Sequence, residues 1–237
     1  MKRIENFSKE VAFLKGKMPS GFKGVISQSY LRAEVDTVDG TPQFEFDFRS
    51  AKGIKQLTER LLNENDLFRV LAIRFRIGVR LLSNPAIWVP QSYPNNFVFD
   101  TETDDATAGT FDAAHLEALY NGYLNYKKGD TTYLPALSLE GARFVSQTQQ
   151  TSAANKSSTE HNDGGIIKVE RPFNLMGTDL GNLTLNIPAA SNLKIQFSTV
   201  ANITTVPKKI VLMCQLDGIL VSGGNKIVTG AATDASM

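Results

Sequence analysis

Arg74, Arg76 and Arg80 stand two and four residues apart in a stretch of alternating sequence, and a strand would put all three on one face. Guanidinium forks match phosphate oxygens, so such a row has the chemistry to hold a phosphate backbone. A single strand provides no aromatic stacking platform around them, and Glu45 and Asp47 are ready carboxylate partners from a neighbouring strand. Pairing within the sheet or across a subunit interface is therefore the expected role of the three arginines, and direct nucleic-acid binding is disfavoured.

The remaining reactive residue types are scattered. Cys214 is the only cysteine and sits in the apolar run 210–216, where a small buried hydrophobe is expected rather than a nucleophile. A lone thiol makes no internal disulfide, which fits an intracellular origin. His115 and His161 stand in no metal or triad spacing. Asp100, Glu102, Asp104 and Asp105 lack the glycine and terminal glutamate of a calcium loop, so a solvated acidic loop is expected. No Walker loop or dinucleotide fingerprint is present, and Gly223–Gly224 reads as a turn after a strand. These observations predict a non-enzymatic protein with no metal site and no cofactor.

The elements that must position these residues are mostly strands. From Arg69 to Leu81 the odd positions are Leu71, Ile73, Phe75, Ile77, Val79 and Leu81, which specifies one buried face along a strand of roughly 40 Å. Phe44, Phe46 and Phe48 alternate with Glu45 and Asp47 in a half-buried strand. Further strands are expected within 25–35, 133–139, 142–147, 166–170, 183–187, 193–197, 210–216 and 219–221. The run 210–216 is apolar on both faces apart from Gln215, as a central strand covered on each side would be. Pro85, Pro90 and Pro94 assign the pieces carrying Trp88 and Phe97–Phe99 to edges or loops.

Three helices are expected. In residues 1–18, Ile4, Phe7, Val11, Leu14 and Met18 form one apolar face. Lys2, Arg3, Lys9, Lys15 and Lys17 surround it against only Glu5 and Glu10. Such a helix suits an anionic membrane surface, a neighbouring subunit or its own domain. A short helix is expected at Ile54, Leu57, Leu61 and Leu62. The third runs from Ala113 to Lys127, with Asp112 as N-cap, Leu116, Tyr120, Tyr123 and Leu124 as its buried stripe, and Gly129 as its stop. Residues 147–165 read as a long polar loop and 229–237 as a small, polar tail.

The 237 residues include 25 basic and 24 acidic, a net charge of +1, which also argues against a broad nucleic-acid-binding face. No secretory leader and no run of about 20 apolar residues is evident, so synthesis and assembly in a host cytoplasm are expected.

Many strands, helices in the connections, long polar loops and no catalytic constellation describe a scaffold. The chain resembles the double jelly-roll major capsid proteins of icosahedral phages with an internal membrane. The likeness lies in the basic amphipathic segment Lys2–Met18, the strand-rich body with its inserted helix, and the segments Glu170–Leu175 and Leu216–Leu220, which have the character of capsid strand-turn-strand units. The resemblance implies an all-β fold of two small eight-stranded jelly-roll barrels. An N-terminal helix over 1–20 would precede a first barrel over 21–128 and a second over 129–237; one elaborated jelly roll is the alternative. It further implies a virion protein that joins in threes as pseudo-hexagonal capsomers and tiles an icosahedral shell, beside penton or minor capsid proteins. Lys2, Arg3, Phe7, Lys9, Val11, Leu14, Lys15 and Lys17 would face inward toward an internal lipid membrane or a neighbouring subunit. Two rivals are a receptor- or carbohydrate-binding β-sandwich of a virion spike, suggested by Trp88 and Tyr93, and a cupin-like enzyme, which two unrelated histidines serve poorly.

Overall fold

The computed structural model describes residues 7–18, 20–38, 40–49, 58–81, 84–90, 118–142, 166–178, 180–187 and 208–224; for 79–81, 84–90 and 208–210 it describes the backbone alone. Among these residues the fold is all-β with few helical turns. The order is α1 (Phe7–Lys17), β1 (Ile26–Asp36), β2 (Gln43–Phe46), β3 (Leu67–Leu81), β4 (Asn84–Pro90), β5 (Tyr123–Lys128), β6 (Thr131–Ser138), β7 (Ile166–Met176), β8 (Asn182–Asn186) and β9 (Lys208–Val221).

Two antiparallel sheets result. Sheet A runs β1-β9-β3, and along the other edge of β3 lie β7, beside residues 67–74, and β4, beside residues 78–81. Sheet B runs β2-β8-β5-β6. The inner faces follow the alternation of the sequence. Phe44 and Phe46 of β2, Leu124 and Tyr126 of β5, and Leu183 and Leu185 of β8 meet Ile73, Phe75 and Ile77 of β3 and Leu212, Cys214 and Leu216 of β9 in one core. Phe75 packs edge-on against Phe46 and Tyr120 at 6.4 and 6.1 Å, and Tyr126 stacks on Phe173 at 4.5 Å. Residues 58–62 run between the sheets at one side. Arg60 exchanges two backbone hydrogen bonds with Arg32 of β1, and the Leu62 amide donates to the carbonyl of Phe48.

The expected boundary at residue 128 does not separate two units. β9 lies between β1 and β3, and β8 lies between β2 and β5, so the strands of 129–237 complete the sheets begun by 21–128. The division into two barrels came from splitting long strands. Residues 26–36 are one strand, as are 166–176 and 208–221.

Backbone detail explains two of these continuities. Leu71 is a bulge: Val70 pairs with Gly218 and Ala72 with Asp217, so Leu71 has no partner across β9. The inward set therefore switches from Phe68 and Val70 to Ile73, Phe75 and Ile77, and Leu71 faces outward instead of joining the odd-numbered core row. Gly218 is not a turn residue; a Cβ there would lie 1.9 Å from the carbonyl oxygen of Arg69, so glycine permits the close approach of the strands. In β7 the same irregularity takes up Pro172, because pairing jumps from Phe173 opposite Val70 to Lys168 opposite Ala72.

Two helices differ from expectation. Of the span 113–127, residues 118–120 are helical and Tyr123–Lys128 are strand β5, while 113–117 lie outside the described residues. Of the helix expected around 54–62, Thr58 is in a turn and Arg60 and Leu62 form isolated β-bridges, and 50–57 lie outside the described residues. Also outside are Lys2, Arg3, His115, His161, the acidic stretch 100–105, the strand expected at 193–197, the loop 147–165 and the tail 229–237.

Candidate functional site

The outer face of sheet A brings together most of the residues the sequence singles out. The bulge turns Leu71 outward, where it joins Leu67 of β3 and Ile219 and Val221 of β9 in a second apolar cluster. Helix α1 covers this cluster with Phe7, Val11, Phe13 and Leu14, and Leu14 is only 4% exposed. Its apolar stripe therefore packs on its own sheet, with Leu14 buried there and Phe7 and Val11 half-buried. Lys9, Lys15 and Lys17 are exposed on the far side.

An ion pair fixes the helix on the sheet. Glu10 Oε2 accepts a hydrogen bond from Arg69 Nε at 2.5 Å, and Arg69 Nη1 donates to Asn174 Oδ1 at 3.1 Å. The same guanidinium lies 4.8 Å from the centre of the Phe13 ring. The Arg69 side chain is 5% exposed, so the pair works in a dry setting where removing one partner is costly.

Beyond the helix the outer face carries a chain of polar contacts across three strands. Arg32 Nη2 of β1 donates to Gln215 Oε1 at 2.9 Å, Gln215 Nε2 donates to Asp217 Oδ1 at 2.8 Å, and Arg74 Nε donates to Asp217 Oδ2. Arg74 thus finds its carboxylate on β9 of its own sheet. Glu45 lies on β2 of the other sheet, and Asp47 holds Arg49. Arg76 lies on the same face as Arg74. Burial pushes its guanidinium below the ordinary value; Tyr120 opposes the shift, and the like charges of Arg74 and Arg32 add to it. The Arg80 side chain is outside the described residues.

Cys214 is fully buried in the core between the sheets. Burial raises its thiol far above the ordinary value, with the negative charge of Asp217 adding, so it is held neutral. Among the described residues, no three of His, Cys, Asp and Glu gather as metal ligands, and no helix is long and apolar enough to cross a membrane. Trp88 and Tyr93 contribute no described side chain.

Sequence reasoning did not find Glu10, Asn174, Gln215 or Asp217 as partners. Asp217 is 143 positions from Arg74, and nothing local links them. Comparison with protein-family models, curated proteins and solved structures gives no match.

Proposed function

We propose that the chain is a viral capsid subunit built on one jelly roll, which associates with copies of itself into a closed shell of the virion. The observation that carries this reading is the pairing of strands from the outside of the chain inward. β1 lies with β9, β2 with β8, β3 with β7 and β5 with β6. With β4 set aside as an addition along the far end of β3, these are the four pairs of an eight-stranded ribbon rolled into two four-stranded sheets. Viral capsid domains use this architecture repeatedly, as do lectins and cupins.

The interior favours a structural role over a cupin-like enzyme. Leucines and aromatic rings fill the space between the sheets, and the gap beside Tyr126, Phe173 and Leu216 holds only about 10 Å³. A roll packed in this way meets its partners on its outside. With one roll per chain, a trimer would present three lobes rather than six, so the shell proposed is one of repeated single-roll subunits. The exposed Lys9, Lys15 and Lys17 of α1 give it a positively charged flank.

Purified full-length protein, followed by light scattering and electron microscopy across concentration and salt, tests the proposal. Regular closed particles or uniform capsomers are expected. A monomer that persists at high concentration in every condition would overturn it.

A further inference from the structure

The outer face of sheet B carries a groove for which assembly has no evident use. On β2, β8 and β5 the residues between the core positions point outward: Gln43 and Glu45, then Thr184 and Asn186, then Asn125 and Lys127. Register aligns them into a polar mosaic, with Gln43 beside Asn186, Thr184 between Glu45 and Asn125, and Asn182 beside Lys127. The Glu45 carboxylate stands at the β2 side, across Thr184 from β5, and is not among the groove's lining residues. Arg49 and the turn leading into β8 wall it in. Gly181 lets that turn come close, since its φ is 66° and a Cβ there would stand 2.3 Å from the carbonyl oxygen of Lys127. The groove is open to solvent on one side and has a volume of about 580 Å³.

Three features define what fits. The described lining has four side-chain amides and two threonine hydroxyls, with Leu180 as its only large apolar residue. Amides both donate and accept, as sugar hydroxyls do. Gln43 Nε2 already donates to Asn186 Oδ1 at 2.7 Å, which sets the orientation of both side chains before any ligand arrives. In the same lining, Asn125 Oδ1 is buried with no hydrogen-bond partner, an uncompensated polar atom that a small rotation of the side chain would bring to a ligand's donor. Finally, the described lining contains Lys127 and Arg49 and no carboxylate. Arg49 is gripped through two hydrogen bonds by Asp47, at 2.9 and 2.7 Å, which raises its pKa further and offsets its charge; Lys127 is the cation left to meet an anion. Tyr123, on the same face and opposite Asn186, places an aromatic ring next to the mosaic.

We propose that this groove binds an oligosaccharide bearing a carboxylate, with hydroxyls on the amides of Asn125 and Asn186 and the acid at Lys127. The groove serves as an attachment site for acidic glycans. It stands on the geometry of sheet B alone, so its fate is separate from that of shell assembly.

Titration of the full-length protein with sialyllactose, with a uronic-acid tetrasaccharide and with neutral lactose, followed by calorimetry and ligand-observed NMR, tests it. Saturable binding of at least one acidic sugar is expected, with lactose weaker by about tenfold or more. Lys127→Gln should abolish the preference for the acidic sugar, and Asn125→Ala should weaken acidic and neutral sugars alike. Thermal melts of both variants, at positions outside the core, check that they remain folded. Absence of saturable binding by the folded protein, equal affinity for lactose, or binding that survives both substitutions would each overturn the proposal.

Discussion

The two sheets share one core, yet their outer faces are built on opposite terms. On sheet A the outward residues under α1 are leucines, isoleucine and valine, and Gln215, Asp217 and Arg69 beside them are likewise less than 10% exposed, while Arg32, Arg74 and Arg76 are half-buried. On sheet B they are amides, threonine and lysine around an open groove, with Glu45 on β2 beside Thr184. Much of the first face is treated as interior, so its buried polar groups need partners. The second stays in contact with water and is available to a ligand. Alternation along a strand obliges only one face to be apolar; what happens on the other depends on whether something covers it.

Substitution separates the two faces by size of effect. The largest loss is expected from Asp217→Ala, which strips the acceptor from both Arg74 and Gln215: about 3–5 kcal/mol, read from urea unfolding. A loss below about 1 kcal/mol would mean that this face behaves as ordinary surface, and the contrast would fail. Next comes Leu14→Ala under the helix, at about 2–3 kcal/mol, because α1 can settle partly into the space left. The same unfolding experiment measures it, and loss of α1 contacts should appear as faster amide exchange in 7–17.

Cys214→Ala probes the shared core through pH. The folded thiol has a raised pKa, so its contribution is complete below the ordinary value of 9.0 and is lost as pH rises beyond it. The stability advantage of the native chain over this variant should therefore shrink by about 1.4 kcal/mol per pH unit above that point. Urea midpoints of both proteins from neutral pH upward check this; a constant gap would show that the thiol ionises freely. The smallest effects are expected on sheet B, where Asn125→Ala and Thr184→Ala should shift stability by no more than about 0.5 kcal/mol. A large loss at either would show that the groove is structural.

Much of the inner face was legible in the sequence, because Phe44 and Phe46, Leu183 and Leu185, and Ile73 to Ile77 each alternate in the period of a strand. The double apolarity of 210–216 likewise announced a covered central strand. The misreadings have physical causes. Tyr120 and Leu124, four apart, fit both a helical and an extended spacing, whereas Tyr126 continues only the extended one, and pairing of 123–128 with β6 and β8 decides for the strand. Gly122 ends the helical turn where a Cβ would meet the carbonyl oxygen of Asn186 at 2.9 Å. Asp217–Gly218 has the composition of a turn, but neighbouring Arg69 makes the glycine a point of contact between strands. The groove was invisible because its residues come from three strands, near 43, 125 and 184, which only the sheet assembles.

The pairing of β1 with β9 sets an order of events for the growing polypeptide. Residues 26–36 leave the ribosome long before 208–221, yet each residue of β1 has its partner there. Until the last strand arrives, β1 and β3 have no common neighbour and sheet A stays split. Loop-closure entropy must be met before these distant contacts offset it, so sheet A is expected to form slowly and only once residues 208–221 are in place. A chain that has made β1 and β3 alone therefore leaves the β9-facing edges of both strands unpaired until residues 208–221 join them.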